Sequence, residues 1–163
     1  MILVIVGTQL PFDRMTLAVD NWCGAGPSRE VFAQIGPTPW RPRYMKYAEY
    51  LDPAEYRRRL SEATLLIAHA GMGSIIDALS AGKPIIIMPR RAEYGEHRNN
   101  HQMATVSRFA RYPGVYVATD EHELRRLLDS GMPLSAGMPI SPHACPQLIR
   151  RLQSFIGRNY DRV

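Results

Sequence analysis

Lysine is almost missing from this chain. Of its 20 basic residues only Lys46 and Lys83 are lysines, so the net charge of +5 is carried by arginine. The arginines gather at Arg57 to Arg59, Arg90-Arg91, Arg125-Arg126 and Arg150-Arg151. Guanidinium forks suit phosphate oxygens and anionic headgroups, the alternative for any one pair being a solvated face. No zinc-finger spacing, RNP motif or basic-aromatic tract accompanies them, which argues against a nucleic-acid module. Cysteine is scarce as well. Cys23 and Cys145 stand far apart without CxxC or metal-ligand spacing, which excludes a disulfide framework and predicts reduced thiols in a cytosolic protein. No apolar run approaches the length that crosses a bilayer, and Met1 leads into ILVIV with no basic start or cleavage site, so the chain by itself is expected to be soluble. Its 163 residues suit one domain with a good core.

What the chain has is a central unit from Thr64 to Gln102. Thr64 to His69 is a short apolar run ending at glycine, the pattern of a buried parallel strand. Gly71 and Gly73 turn the chain, and Ser74 falls near a helix start, where free N–H groups and the dipole favour an anion. The same glycines could serve packing alone. Ile75, Ile76 and Leu79 give the helix an inward face, Gly82 ends it, and Pro84 opens the strand PIIIMP. The unit is βαβ, with its turn at the carboxyl end of a strand. From Arg90 to Asn100 the sequence has no clear period and reads as a long loop at a site.

The rest alternates in the same way. Ile2 to Val6 is a buried strand followed by Gly7-Thr8-Gln9, a loop of the kind that binds ligands in open α/β sheets; Thr8 and Gln9 could equally cap the next helix. That helix starts near Pro11 and faces the core with Phe12, Met15, Val19 and Trp22. Glu30 to Ile35 is the second strand, Gly36 to Pro42 a proline-rich surface loop that could meet a partner, and Tyr44 to Leu51 the third strand. Asp52 caps a helix with Pro53 at its first position. Helices over Met103 to Ala110 and Glu121 to Leu128 flank a sixth strand, Val115 to Ala118. Residues 131–145 read as a linker, and 146–158 as a terminal helix striped by Leu148, Ile149, Leu152, Phe155 and Ile156. That stripe suits either a partner or the chain's own sheet. The expected fold is α/β, a doubly wound Rossmann-like parallel sheet of about six strands in a single domain, 1–163.

The motif His69-Ala70-Gly71-Met72-Gly73-Ser74, followed by Asp77, Gly82, Pro84, Pro89 and Glu96 to Gln102 (EHRNNHQ), resembles the donor-binding half of GT-B glycosyltransferases. It is similar to the glycosyltransferase family 28 C-terminal domain and, in length, to the small subunits of two-component transferases acting on dolichol-linked oligosaccharide or bacterial exopolysaccharide. The resemblance implies a donor site. His69, with Gly71, Gly73 and Ser74, would meet the donor's diphosphate, helped by Arg90 or Arg91. Asp77 would take the ribose hydroxyls in place of the family's usual glutamate, the Tyr50-Leu51 turn the uracil, Thr8 and Gln9 the cleft, and Glu96, Asn100 and Gln102 the sugar. Read from burial alone, His69 is a satisfied near-core histidine, and Tyr50 and Leu51 simply end a strand.

A whole GT-B enzyme has two such domains, so the resemblance implies a half-enzyme. The expected function is the UDP-sugar-binding subunit of an inverting glycosyltransferase, acting with a membrane-anchored partner on a polyprenol-diphosphate-linked acceptor at the cytoplasmic face of the membrane, and inactive without that partner. The catalytic base is expected from the partner, with His97 the alternative in this chain. No cofactor is expected. His97 and His101 are four apart, but the HExxH glutamate and a third ligand are missing, so no metal is expected either. A non-catalytic activator and a self-contained epimerase or hydrolase of nucleotide sugars stay open. A NAD-binding module is disfavoured, since no acidic residue follows the turn at the end of the next strand.

Overall fold

In parallel strands buried on both faces, neighbouring side chains must feed two different cores. The structure, a computed structural model, meets that demand in six strands: β1 (Ile2–Ile5), β2 (Val31–Gln34), β3 (Lys46–Ala48), β4 (Leu65–His69), β5 (Ile85–Met88) and β6 (Val115–Val117). It describes residues 1–26, 29–130, 134–141 and 143–160, with the side chains of 158–160 left aside. Every pairing is parallel, in the order β3-β2-β1-β4-β5-β6. The direction of winding therefore reverses between β1 and β4. Val4, Ile67, Ile86 and Met88 enter one core with Met15, Val19 and Trp22 of α1 (Asp13–Gly24) and Leu124 of α5 (Glu121–Asp129). Leu3, Ile5, Leu66, Ile85 and Ile87 enter the other. That second core is covered by α2 (Pro53–Glu62), α3 (Met72–Ser80) and α4 (His101–Phe109). The expected doubly wound six-stranded sheet is what forms.

Local chemistry sets the starts of two helices. Asp52 Oδ1 accepts from the N–H groups of Ala54 (2.8 Å) and Glu55 (2.9 Å), and Asp120 from that of Glu123 (2.8 Å), which starts α2 and α5. The third strand is shorter than its Tyr44–Leu51 pattern. Asp20 of α1, only 2% exposed, accepts from the backbone N–H groups of Arg43, Tyr44 and Met45 at 2.8–3.1 Å. Those donors are withdrawn from the ladder, so β3 begins at Lys46. The proline-rich loop is likewise held to the domain. Thr38 Oγ1 donates to Asp13 Oδ2 at 2.9 Å, and Trp40 packs on the α1 core.

Residues 134–141 carry no regular element, yet they lie against the domain. Tyr116 Oη donates to the Ser135 carbonyl and accepts from its N–H, Ile140 N–H reaches the Leu79 carbonyl, and Ile140 joins the second core. The ends of the proline- and glycine-rich stretch, 131–133 and 142, fall outside the described residues, as do 161–163 of the expected domain. Helix α6 (Pro146–Tyr160) follows. Its Leu148, Ile149, Leu152, Phe155 and Ile156 are 40–63% exposed, so the apolar stripe faces solvent instead of its own sheet. Among the described residues no helix is long and apolar enough to cross a membrane.

Candidate functional site

At the carboxyl ends of β1 and β4, where the winding reverses, a cavity of about 540 Å³ opens. Open α/β sheets bind ligands at this crevice, because the loops leaving the two strands diverge there. Gly7 to Leu10 leave β1, His69 ends β4 with Gly71 just beyond it, and Gly73, Ser74 and Asp77 come from α3. Tyr50, Leu51, Pro53 and Tyr56 close one side, and Arg90, His97, His101 and Gln102 another.

His69 ends β4, and its ring is boxed in by two glycines. A Cβ at Gly7 would lie 2.8 Å from His69 Nε2, and one at Gly71 2.0 Å from Cε1. Gly7 also has φ +87°, where other residues are strained. The close approach permitted at Gly7 and Gly71 is thus to the histidine ring, whereas a Cβ at Gly73 would meet nothing and face open space. Burial first, then the charges of Arg90, His97 and His101, push the His69 imidazolium down to about 4. Its Nδ1 lies 3.3 Å from Gln102 Nε2, and Gln102 Oε1 accepts from the Arg90 N–H at 3.0 Å.

The Arg90 guanidinium lines the cavity, but both its terminal nitrogens are already used. It is 3% exposed and donates to the carbonyls of Val6, Leu10, Pro11 and Glu96 at 2.5–3.2 Å. Burial lowers it to about 10, against the pull of Glu96 and Asp13. Its place is under the β1 loop, as a pin. Gln34 does the same from β2: its amide accepts from Gly7 N–H (3.1 Å) and donates to the carbonyls of Gly7 and Glu49, both at 3.0 Å. Thr8 and Gln9 are thereby held at the mouth on a braced loop.

Helix α3 begins at Met72 with Gly71 as N-cap and no side-chain cap, which leaves first-turn N–H groups open to an acceptor. Ser74, 9% exposed, sits in that turn. One turn on, Asp77 Oδ2 accepts from the Tyr56 hydroxyl at 2.8 Å. Burial and then Asp77 raise the Tyr56 phenol well above the usual range, so it stays a donor. Leu51 and Tyr50 stand beside this pair on the wall.

Two of the residues marked out in EHRNNHQ lie off the lining. The Glu96 carboxylate is gripped by Arg14 (2.7 and 2.9 Å) and accepts from the Arg91 N–H at 2.8 Å. Asn100 Oδ1 accepts from the Ala92 N–H at 2.8 Å. Arg91 also stays off the lining, its guanidinium on the Thr119 carbonyl and Glu93. Residues 90–100 form a tied-down loop with a short 3₁₀ turn, Ala92–Tyr94. His97 and His101 do reach the cavity, their rings 4.5 Å apart edge to face. The buried Nδ1 of His97 has no partner among the described residues. No group of three or more His, Cys, Asp or Glu side chains with metal-binding geometry occurs among the described residues.

Sequence reasoning missed Gln34, Tyr56, Pro53, Leu10 and His101 on the lining. Gln34 carried a signal, an amide inside the otherwise apolar run VFAQI. Tyr56 carried none beyond a helix position.

The fold has many solved counterparts. The solution structure of ALG13 superposes with a TM-score of 0.59 at 17% identity, over 93% of either chain. MurG of Acinetobacter baumannii gives 0.58 at 17%, over 78% of this chain and 40% of that one. The glycotransferase of kitacinnamycin gives 0.57 at 16%, over 81% of this chain and 35% of that one. This chain therefore spans well under half the length of the latter two. No curated protein matches the sequence. Residues 1–133 match the family model described as the glycosyltransferase family 28 C-terminal domain, and the chain belongs to that family.

Proposed function

We propose that this chain is the donor-binding half of an inverting glycosyltransferase. It would take a UDP-sugar and, with a second, membrane-anchored polypeptide, pass the sugar to a lipid-diphosphate-linked acceptor in glycan or polysaccharide synthesis. One observation carries the reading: the cavity lies where the strand order reverses, with the uncapped start of α3 on its wall. Loss of a nucleoside diphosphate calls for N–H donors at the phosphates, and the transfer needs a base beside the acceptor hydroxyl. The first turn of α3, His69 and Ser74 supply donors, and the Tyr56-held Asp77 offers a carboxylate oxygen to the ribose. Thr8, Gln9, His97 and His101 remain for the sugar, since Glu96 and Asn100 are engaged within the loop. The base is assigned to the partner. The exposed face of α6, with Leu148, Leu152 and Ile156 at 48–57% exposure, supports a docking role there.

Thermal unfolding of the chain against UDP, UDP-sugars, GDP, ADP and NAD tests the donor half. A ligand at about a hundred times its dissociation constant adds roughly 2.7 kcal/mol, a few degrees here. Uridine nucleotides alone should give this shift, and Asp77→Ala should weaken it. A shift with NAD or ADP instead would sink the reading. Turnover of a UDP-sugar by the chain alone would replace it with a self-contained nucleotide-sugar enzyme.

A further inference from the structure

One buried amide stands between the backbone of Arg90 and the ring of His69, and its two ends cannot be exchanged. The Arg90 N–H can only donate, so the atom 3.0 Å away is the carbonyl oxygen of Gln102. The other end is then the NH₂ group, which also can only donate, and it faces His69 Nδ1 at 3.3 Å. Nδ1 is thus the acceptor, and in a neutral imidazole the proton belongs to Nε2. The ring is neutral because it is buried and because the groups acting on it are cations or histidines: Arg90 after β5, His97 in the following loop and His101 at the start of α4. It cannot turn freely, since the backbones of Gly7 and Gly71 close on it. Nε2 makes no hydrogen bond among the described residues, and His69 lines the cavity.

We propose that Gln102 is a positioning residue that fixes His69 in the Nε2–H tautomer, so that the ring presents a single N–H donor to a diphosphate oxygen in the cavity. The role assigned to that donor rests on the donor-binding reading above. Gln102 would then act through His69 instead of touching the sugar. Its backbone tether explains why an amide is needed. A hydroxyl could reverse its direction, and a carboxylate would accept from both neighbours and draw the proton to Nδ1.

Long-range 1H–15N spectra of the histidine rings in the full chain test this. Wild-type His69 should show an unprotonated Nδ1 and a protonated Nε2 from about pH 5.5 to 8, and UDP should shift the Nε2–H resonance. In Gln102→Glu at pH 8 the proton should sit on Nδ1, with UDP affinity lower by about tenfold or more, the scale of one lost hydrogen bond to a charged group. Relative to the wild type at the same pH, which cancels the titration of the UDP phosphate itself, that affinity should recover towards pH 6 as His69 regains a second proton. A protonated Nδ1 in the wild type, or an unchanged tautomer in folded Gln102→Glu, overturns the proposal. The wild-type spectrum decides the tautomer even if the variant does not fold. A wrong tautomer with UDP still bound defeats this proposal alone. The Nε2–H tautomer with no response to UDP defeats the donor-binding reading and, with it, the ligand assigned here.

Discussion

The floor of the cavity and helix α6 place polar and apolar side chains under opposite conditions. On the floor, Gln34, Arg90 and Gln102 are only 3–4% exposed, and each is held by hydrogen bonds to backbone or ring. Burying such groups is unfavourable unless their partners are supplied, so each fixes what it touches: Gly7, the β1 loop and His69. On α6 the large apolar residues are the exposed ones, with Phe155 at 63%. The domain closes both its cores without them. Order in the site is therefore written into the interior, while α6 keeps apolar surface to spare.

This contrast can be broken in three places. The largest effect is expected from Leu66→Ala in β4, where a fully buried side chain is removed; the loss should be about 2–5 kcal/mol in urea unfolding. Loss of less than about 1 kcal/mol would mean that the strand is not core.

Acid should come next. His69 is neutral in the folded chain, with its imidazolium lowered to about 4, against roughly 6.5 when unfolded. Between those values the unfolded chain binds more protons, so stability rises with pH and falls on acidification. The loss from this group should approach roughly 3 kcal/mol near pH 4 and vanish above about pH 6.5. Urea midpoints at several pH values, compared with those of His69→Gln, isolate it. Equal slopes in the two proteins would show that the ring is not buried neutral.

The smallest effect belongs to α6. Leu152→Ala, at a side chain 51% exposed, should change stability by no more than about 0.5 kcal/mol. A loss approaching that of Leu66→Ala would show that the α6 face packs on the domain and is not held ready for a partner.

The sheet was legible because short apolar, β-branched runs recur along the chain with helical segments between them. ILVIV, TLLIAH and PIIIMP need little context to be buried parallel strands. Where an element is shorter than its pattern, or a site candidate is engaged within the fold, a distant partner has intervened. The third strand loses its first residues to Asp20, more than 20 positions earlier. Glu96 is taken by Arg14, 82 positions away, and Arg90 by four carbonyls, three of them in the β1 segment and its loop. A charged residue next to a strand end looks the same in sequence whether it faces a ligand or a carbonyl.

The glycine turn after β4 and the loop after β1, where the backbone is left-handed only at Gly7 (φ +87°) and Gly71 makes room for the His69 ring, could be marked from the chain alone, since glycines directly after an apolar run stand out in sequence. The same holds for the alternation that sends neighbouring strand residues to opposite cores. Which polar side chains remain available in the cavity was decided only by tertiary structure. Gln34, Tyr56, His69 and Gln102 acquire their roles from partners brought close by the sheet order, and hydrogen-bond direction depends on those partners, not on sequence neighbours.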